Sequence, residues 1–323
     1  MWLEILLVLV GIALIVFGAN ILTDGASAIA ERFRIPQIII GLTIVAFGTS
    51  APELSVSVIS SMEGNGGIAV GNVIGSNIFN ILAILGVTAL IYPVPVERNT
   101  LRFDIPIAVL AAVMLLLMLS DPALDGTASS ITRVEALILV IMGLLFLAYT
   151  FVMGKKGAAD AVEVDEPEKK LQHWAVSIAF IIGGLAGLVY GGRLFVDNAA
   201  AIAGRLGVSD TLIGLTLVSW GTSMPELATS AIAAMKKNTG IAVGNVVGSN
   251  LFNIFFVLGI AGTINPLKSL QFTAVDLWMQ LLAVIIALAT VMFWGNREIK
   301  RGEGAIMLLV FVAYNAFLIS TAV

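Results

Sequence analysis

The chain alternates long apolar stretches with short polar ones. A helix crossing the hydrocarbon core takes about 20 predominantly apolar residues. On that measure the pattern predicts ten spans, near residues 2–20, 38–61, 68–90, 104–119, 132–152, 174–192, 211–234, 241–262, 275–294 and 304–321. Residues 1–20 lack the basic flank of a signal peptide and carry an apolar run longer than the usual signal core, so they are expected to remain as the first span. The stretch 154–173 is polar, of mixed charge, and contains Gly and Pro; it is expected to be a solvated linker closed by an interfacial His173. Two spans are interrupted, the second by Gly48-Thr49-Ser50-Ala51-Pro52-Glu53 and the seventh by Gly221-Thr222-Ser223-Met224-Pro225-Glu226. Each is expected to be two half-helices.

The interruptions belong to an internal repeat. Adding 173 to any position from Gly18 to Gly86 reaches its counterpart without a gap, and more than half of the paired positions are identical. Asp24 pairs with Asp197, Gly41 with Gly214, Glu53 with Glu226, Ser76 with Ser249, and Asn80 with Asn253. Five spans per unit make the second unit enter the membrane from the opposite side, the inverted arrangement found in many secondary transporters. The expected fold is therefore an all-α membrane protein: ten transmembrane helices in two inverted five-helix repeats, residues 1–153 and 174–323, joined by the cytoplasmic linker 154–173, with the second and seventh helices broken.

Composition and charge support this reading. Residues are 59% hydrophobic and 12% charged, against roughly 25% charged in soluble domains; mean hydropathy is +1.03. With the N-terminus outside, thirteen of the seventeen Lys and Arg fall in cytoplasmic loops, as the positive-inside rule requires. The expected location is the cell membrane, multi-pass, with both termini extracellular. With no cysteine and a single histidine, thiolate and His-cluster metal centres are excluded, and so is a zinc protease of the HExxH type.

The chemistry lies in the interruptions. A charged side chain at membrane depth costs a few kcal/mol on the mildest scale and normally faces a partner or a polar cavity. Gly48 and Gly221 can leave helical geometry. Pro52 and Pro225 suit the first turn of a new helix, and Thr49, Ser50, Thr222 and Ser223 are good N-cap types. A break frees backbone carbonyls near Ala46 and Ser219, and oxygen ligands suit hard cations such as Na⁺ and Ca²⁺. Glu53 and Glu226 then fall in the first turn of the second half-helices, where the helix dipole favours a carboxylate. The third and eighth spans carry Gly71-Asn-Val-Ile-Gly-Ser-Asn-Ile-Phe-Asn80 and Gly244-Asn-Val-Val-Gly-Ser-Asn-Leu-Phe-Asn253. Ser76 and Asn80, like Ser249 and Asn253, are four apart and share a helix face, while the GxxxG spacing permits close helix approach. Asn72, Asn77, Asn245 and Asn250 lie at other angles and read as backbone or interhelical bonders. Asp24 and Asp197 read as caps or loop contacts near a membrane surface.

The doubled GTSxPE, each followed by GNxxGSNxFN, resembles the two alpha-repeats of the sodium/calcium exchanger family, within the cation/calcium antiporter superfamily, over residues 41–86 and 214–259. Length and layout are similar to the short prokaryotic members. The resemblance implies a secondary active antiporter, not an enzyme, exchanging Na⁺ for Ca²⁺ by alternating access, with no cofactor and no partner beyond its ions and the lipid bilayer; nothing points to nucleic acid. It implies four cation sites at mid-membrane: Glu53 and Glu226 as Ca²⁺ carboxylates that also bind Na⁺, with Thr49, Ser50, Ser76, Thr222, Ser223 and Ser249 offering hydroxyls or carbonyls. By the same resemblance Ala46 and Ser219 offer carbonyls, and Asn80 and Asn253 complete the central site. Some exchangers, including potassium-dependent ones, carry Asp where this chain has Asn253, so K⁺ is expected to be dispensable. Two carboxylates balance one Ca²⁺ or two Na⁺, and the family's third Na⁺ makes exchange electrogenic. A Ca²⁺/H⁺ antiporter is the rival, since carboxylates also carry protons; a passive cation channel is a more distant one.

Overall fold

The computed structural model describes residues 1–120, 129–160, 173–206, 219–268, 273–294 and 297–322. It is nearly all helix. The helices are α1 (Trp2–Arg32), α2 (Gln37–Thr49), α3 (Ala51–Met62), α4 (Gly66–Ile91), α5 (Thr100–Met118), α6 (Arg133–Asp160), α7 (Trp174–Arg205), α8 (Ser219–Thr222), α9 (Met224–Met235), α10 (Thr239–Ile264), α11 (Ala274–Ala289) and α12 (Arg301–Ala322). Among the described residues eight helices are long and apolar enough to cross a membrane, or nine when the bent pair α2–α3 counts as one span. The first half of the expected seventh span, 211–218, and most of the expected linker lie outside the described residues.

Several helices outrun the apolar stretches that predicted them. α1 continues to Arg32, α7 to Arg205, and α6 runs past Gly154 to Asp160. In the last case Lys155, Lys156, Ala158 and Ala159 are good helix formers, so the polar segment begins as helix. His173 is the N-cap of α7, its Nδ1 accepting from the Ala175 N–H at 3.3 Å.

The second span breaks as expected. α2 and α3 are bent by 46° about Ser50, and Pro52 sits in the first turn of α3. Gly48, however, stays helical. A Cβ there would lie 2.4 Å from the Leu185 side chain of α7, and one on Gly221 would lie 2.0 Å from Val196. These glycines make room for α7; the bend falls at the serine.

Two layers follow from the packing. α1 and α7 lie against each other, their backbones brought close at glycines: a Cβ on Gly18 would meet the Gly184 carbonyl at 2.7 Å. Arg205 on α7 pairs with Glu4 on α1 at 2.6 Å. The second layer holds the main core, where α10 packs on α2, α3 on α4, and α9 on α10. The expected close approach at GxxxG is realised by Gly244, whose Cβ would sit 2.4 Å from the Ile38 carbonyl, and by Gly248. Among the described residues nothing lies within 4 Å of a Cβ placed on Gly71 or Gly75. Short extended pairings tie the loops: β1 (Val94–Pro95) with β2 (Glu298–Ile299), and Ile131 with Leu267.

Candidate cation site

The interruptions of the two halves meet in the interior. Glu53, in the first turn of α3, and Glu226, in the first turn of α9, are both fully buried. Ser50 and Ser223 occupy the N-cap positions of those helices, yet neither side chain caps its own helix. Each reaches across instead. Ser223 Oγ donates to Glu53 Oε1 at 3.0 Å, and Ser50 Oγ donates to Glu226 Oε1 at 2.8 Å. The capping role expected for the serines is therefore corrected. A hydrogen bond to a carboxylate is worth more than a neutral one, and the buried acid has first claim on the donor.

α4 and α10 close the site from the other side. Ser76 Oγ lies 3.4 Å from Glu53 Oε1, and Ser249 is buried at the equivalent position. Asn72 Nδ2 holds the Glu53 carbonyl at 3.2 Å and Ser57 Oγ at 3.0 Å; Asn245 Nδ2 repeats both bonds to Glu226 and Ser230 at the same distances. These are the backbone and interhelical roles expected of Asn72 and Asn245. Thr49 Oγ1 donates to Asn245 Oδ1 at 3.0 Å. The Ala46 carbonyl, expected to be freed by the break, accepts from the Ser50 N–H at 3.0 Å and from Thr49 Oγ1 at 3.4 Å. Thr222 is half-buried at the edge of the site. Ser219 opens the described part of its segment, and the half-helix before it lies outside the described residues.

One feature had no signal in the periodicity. π-helical turns span Gly41–Val45, Phe79–Ile84 and Asn253–Leu258, beside the break and at both distal asparagines; such turns recur at functional sites. Asn77 and Asn250 pair directly across the two halves, the backbone and interhelical role expected of them.

Among the described residues, five buried oxygens here have no hydrogen-bond partner: Glu53 Oε2, Glu226 Oε2, Asn80 Oδ1, Asn253 Oδ1 and Ser249 Oγ. Buried polar atoms are nearly always paired, so a group of acceptors left open beside two acids fits a hard cation. Among the described residues no group of three or more His, Cys, Asp or Glu forms a metal centre, so the donor set is two carboxylates plus neutral oxygens. A cavity of about 210 Å³ between α3 and α7 reaches Pro52, Gly221, Thr222 and Pro225 of both interruptions.

Fold and site together define a polytopic helical membrane protein whose interior holds two acids in an oxygen-lined cluster. The family profile described as sodium/calcium exchanger protein matches residues 3–152 and 176–320. The chain belongs to the sodium/calcium exchanger family, a family of membrane cation exchangers. CaxA of Alkalimonas amylolytica is 38% identical over 320 residues, 97% of this chain and 98% of CaxA. The sodium/calcium exchanger MaX1 of Methanosarcina acetivorans is 31% identical over 342 residues, 96% of each chain. Among solved structures, the sodium-calcium exchanger NCX_Mj soaked with Na⁺ and Ca²⁺ superposes with a TM-score of 0.83 at 29% identity, covering 97% of this chain and 98% of that one.

Proposed function

We propose that this chain is a secondary active antiporter that exchanges Na⁺ for Ca²⁺ by alternating access. The observation that carries the reading is the buried pair Glu53 and Glu226, each held by a serine from the other half and each leaving one oxygen open. Two carboxylates neutralise one Ca²⁺ or two Na⁺, so the ions compete for one set of ligands and neither loads fully beside the other. In this reading Thr49, Ser50, Ser76, Asn80, Thr222, Ser223, Ser249 and Asn253 offer side-chain oxygens around the pair, with the carbonyls of Ala46 and Ser219. A third Na⁺ leaves the loaded site positive and makes exchange electrogenic. With Asn253 neutral, K⁺ has no third carboxylate to join and is not required.

The full architecture in this reading is ten spans in two inverted repeats, residues 1–153 and 174–323, both termini outside the cell membrane. The 173-residue offset and the mirrored bonds of Asn72 and Asn245 support it. The serines also favour Na⁺ over H⁺ as the coupling ion, since a proton carrier needs no hydroxyl cage.

The test is ⁴⁵Ca²⁺ uptake into proteoliposomes driven by an imposed Na⁺ gradient at clamped pH, with K⁺ present or absent. Uptake should follow the Na⁺ gradient, ignore K⁺, and vanish in Glu53→Gln and Glu226→Gln. Uptake that follows a proton gradient instead would make the chain a Ca²⁺/H⁺ antiporter; flux without a counter-ion would make it a channel.

A further inference from the structure

A side-chain amide has an oxygen at one end and an NH₂ donor at the other. A cation can use only the oxygen, so a site built on Asn80 and Asn253 works only if something decides which end faces inward. Four asparagines of α4 and α10, namely Asn77, Asn80, Asn250 and Asn253, all buried, form a linked set that makes this decision.

Asn77 Nδ2 donates to the Asn250 main-chain carbonyl at 3.4 Å, and Asn250 Nδ2 donates to the Asn77 main-chain carbonyl at 3.1 Å. A main-chain carbonyl can only accept, so each of these contacts must be made by the NH₂ end. The oxygen ends of Asn77 and Asn250 are thereby turned the other way. There Asn77 Oδ1 meets Asn253 Nδ2 at 3.1 Å, and Asn250 Oδ1 meets Asn80 Nδ2 at 3.0 Å. Asn253 and Asn80 must therefore present their NH₂ groups to this set, which leaves their own oxygens facing away from it. Those are two of the five open oxygens, Asn80 Oδ1 and Asn253 Oδ1. Reversing either amide would set oxygen against oxygen in a buried place.

We infer that Asn77 and Asn250 are positioning residues that hold the Asn253 and Asn80 amides with oxygen toward the cation. The control runs across the repeat: Asn77 of the first half sets Asn253 of the second, and Asn250 sets Asn80. The inference rests on the Ca²⁺ site proposed above.

The test measures equilibrium ⁴⁵Ca²⁺ binding to the purified full-length protein. Asn77→Ala should weaken binding about tenfold or more, because Asn253 can then turn its NH₂ inward. Adding Asn253→Asp should restore it, since a carboxylate has oxygen at both ends and needs no orientation. Adding Asn80→Asp instead should not, because Asn80 is already held by Asn250. The mirror set, Asn250→Ala rescued by Asn80→Asp and not by Asn253→Asp, should behave alike. Should Asn77→Ala fail to insert, Asn77→Leu keeps the side-chain volume and carries the same expectations. Wild-type affinity in Asn77→Ala, or equal rescue by either Asp, overturns the inference. Wild-type protein that binds no Ca²⁺ overturns the proposed function instead.

Discussion

The packing of α1 on α9 and that of α7 beside α3 occupy aligned positions of the repeat, yet one is shut and the other open. On the shut side Lys236 Nζ lies 2.7 Å from Asp24 Oδ1 and 3.0 Å from the Asn20 carbonyl, and Asn238 Nδ2 donates to Ser27 Oγ at 2.8 Å. Asp24 was expected near a surface as a cap or loop contact; it is a helical residue of α1 in an ion pair. On the open side the counterparts are Glu63 for Lys236, Arg193 for Asn20, Asp197 for Asp24 and Ala200 for Ser27. Arg193 and Asp197 line the cavity between α3 and α7. Among the described residues, Glu63, Arg193 and Asp197 make no ion pair. Aligned positions of the repeat thus carry different charges at their rims: an attractive Lys236–Asp24 pair latches one side, and Glu63 and Asp197, with Arg193, stand on the other. In the orientation proposed above, the latch is cytoplasmic and the cavity extracellular.

The largest expected effect comes from closing the open side covalently. The chain has no native cysteine, so Val56→Cys and Val196→Cys, both lining the cavity, can be joined by a short bifunctional thiol reagent. Exchange should stop and return on cleavage of the linker; undiminished Ca²⁺ flux would show that α7 need not move against α3. Next is Lys236→Glu, which replaces the attraction at Asp24 with repulsion. For a pair this exposed, about 1 kcal/mol is expected, roughly a fivefold shift toward the state with the α1 side open. Labelling of Val196→Cys by an impermeant maleimide should slow accordingly. Glu63→Lys tests the converse by writing the latch onto the open side. It should slow the same labelling two- to threefold, about 0.5 kcal/mol, because Asp197 gains a partner only after closure. The smallest is Ser27→Ala. Losing the neutral bond to Asn238 should cost at most about 0.5 kcal/mol of the shut state, read as a slight slowing of that labelling; no change would leave the ion pair as the whole latch.

Much of the site was legible in the residues. Pro52 and Pro225 in the first helical turns, Glu53 and Glu226 beside them, and the backbone-holding Asn72 and Asn245 stand as the motif chemistry implied. Gly48 and the two serines were misassigned for one reason. Propensity speaks of a residue's own helix, whereas Gly48 serves Leu185 of α7 and each serine serves the acid of the opposite half. The latch at Lys236 was equally invisible, since α1 and α9 are more than 190 residues apart in the chain.

The apolar stretches, the 173-residue offset and the acidic motifs were legible in the sequence alone, because the bilayer enforces long apolar helices and makes every buried charge conspicuous. Which oxygens remain open, which end of each amide faces inward and which rim is latched were decided only by tertiary structure. Those outcomes depend on hydrogen bonds between residues some 170 to 210 positions apart, and a pattern read along one chain contains no term for a partner on another helix.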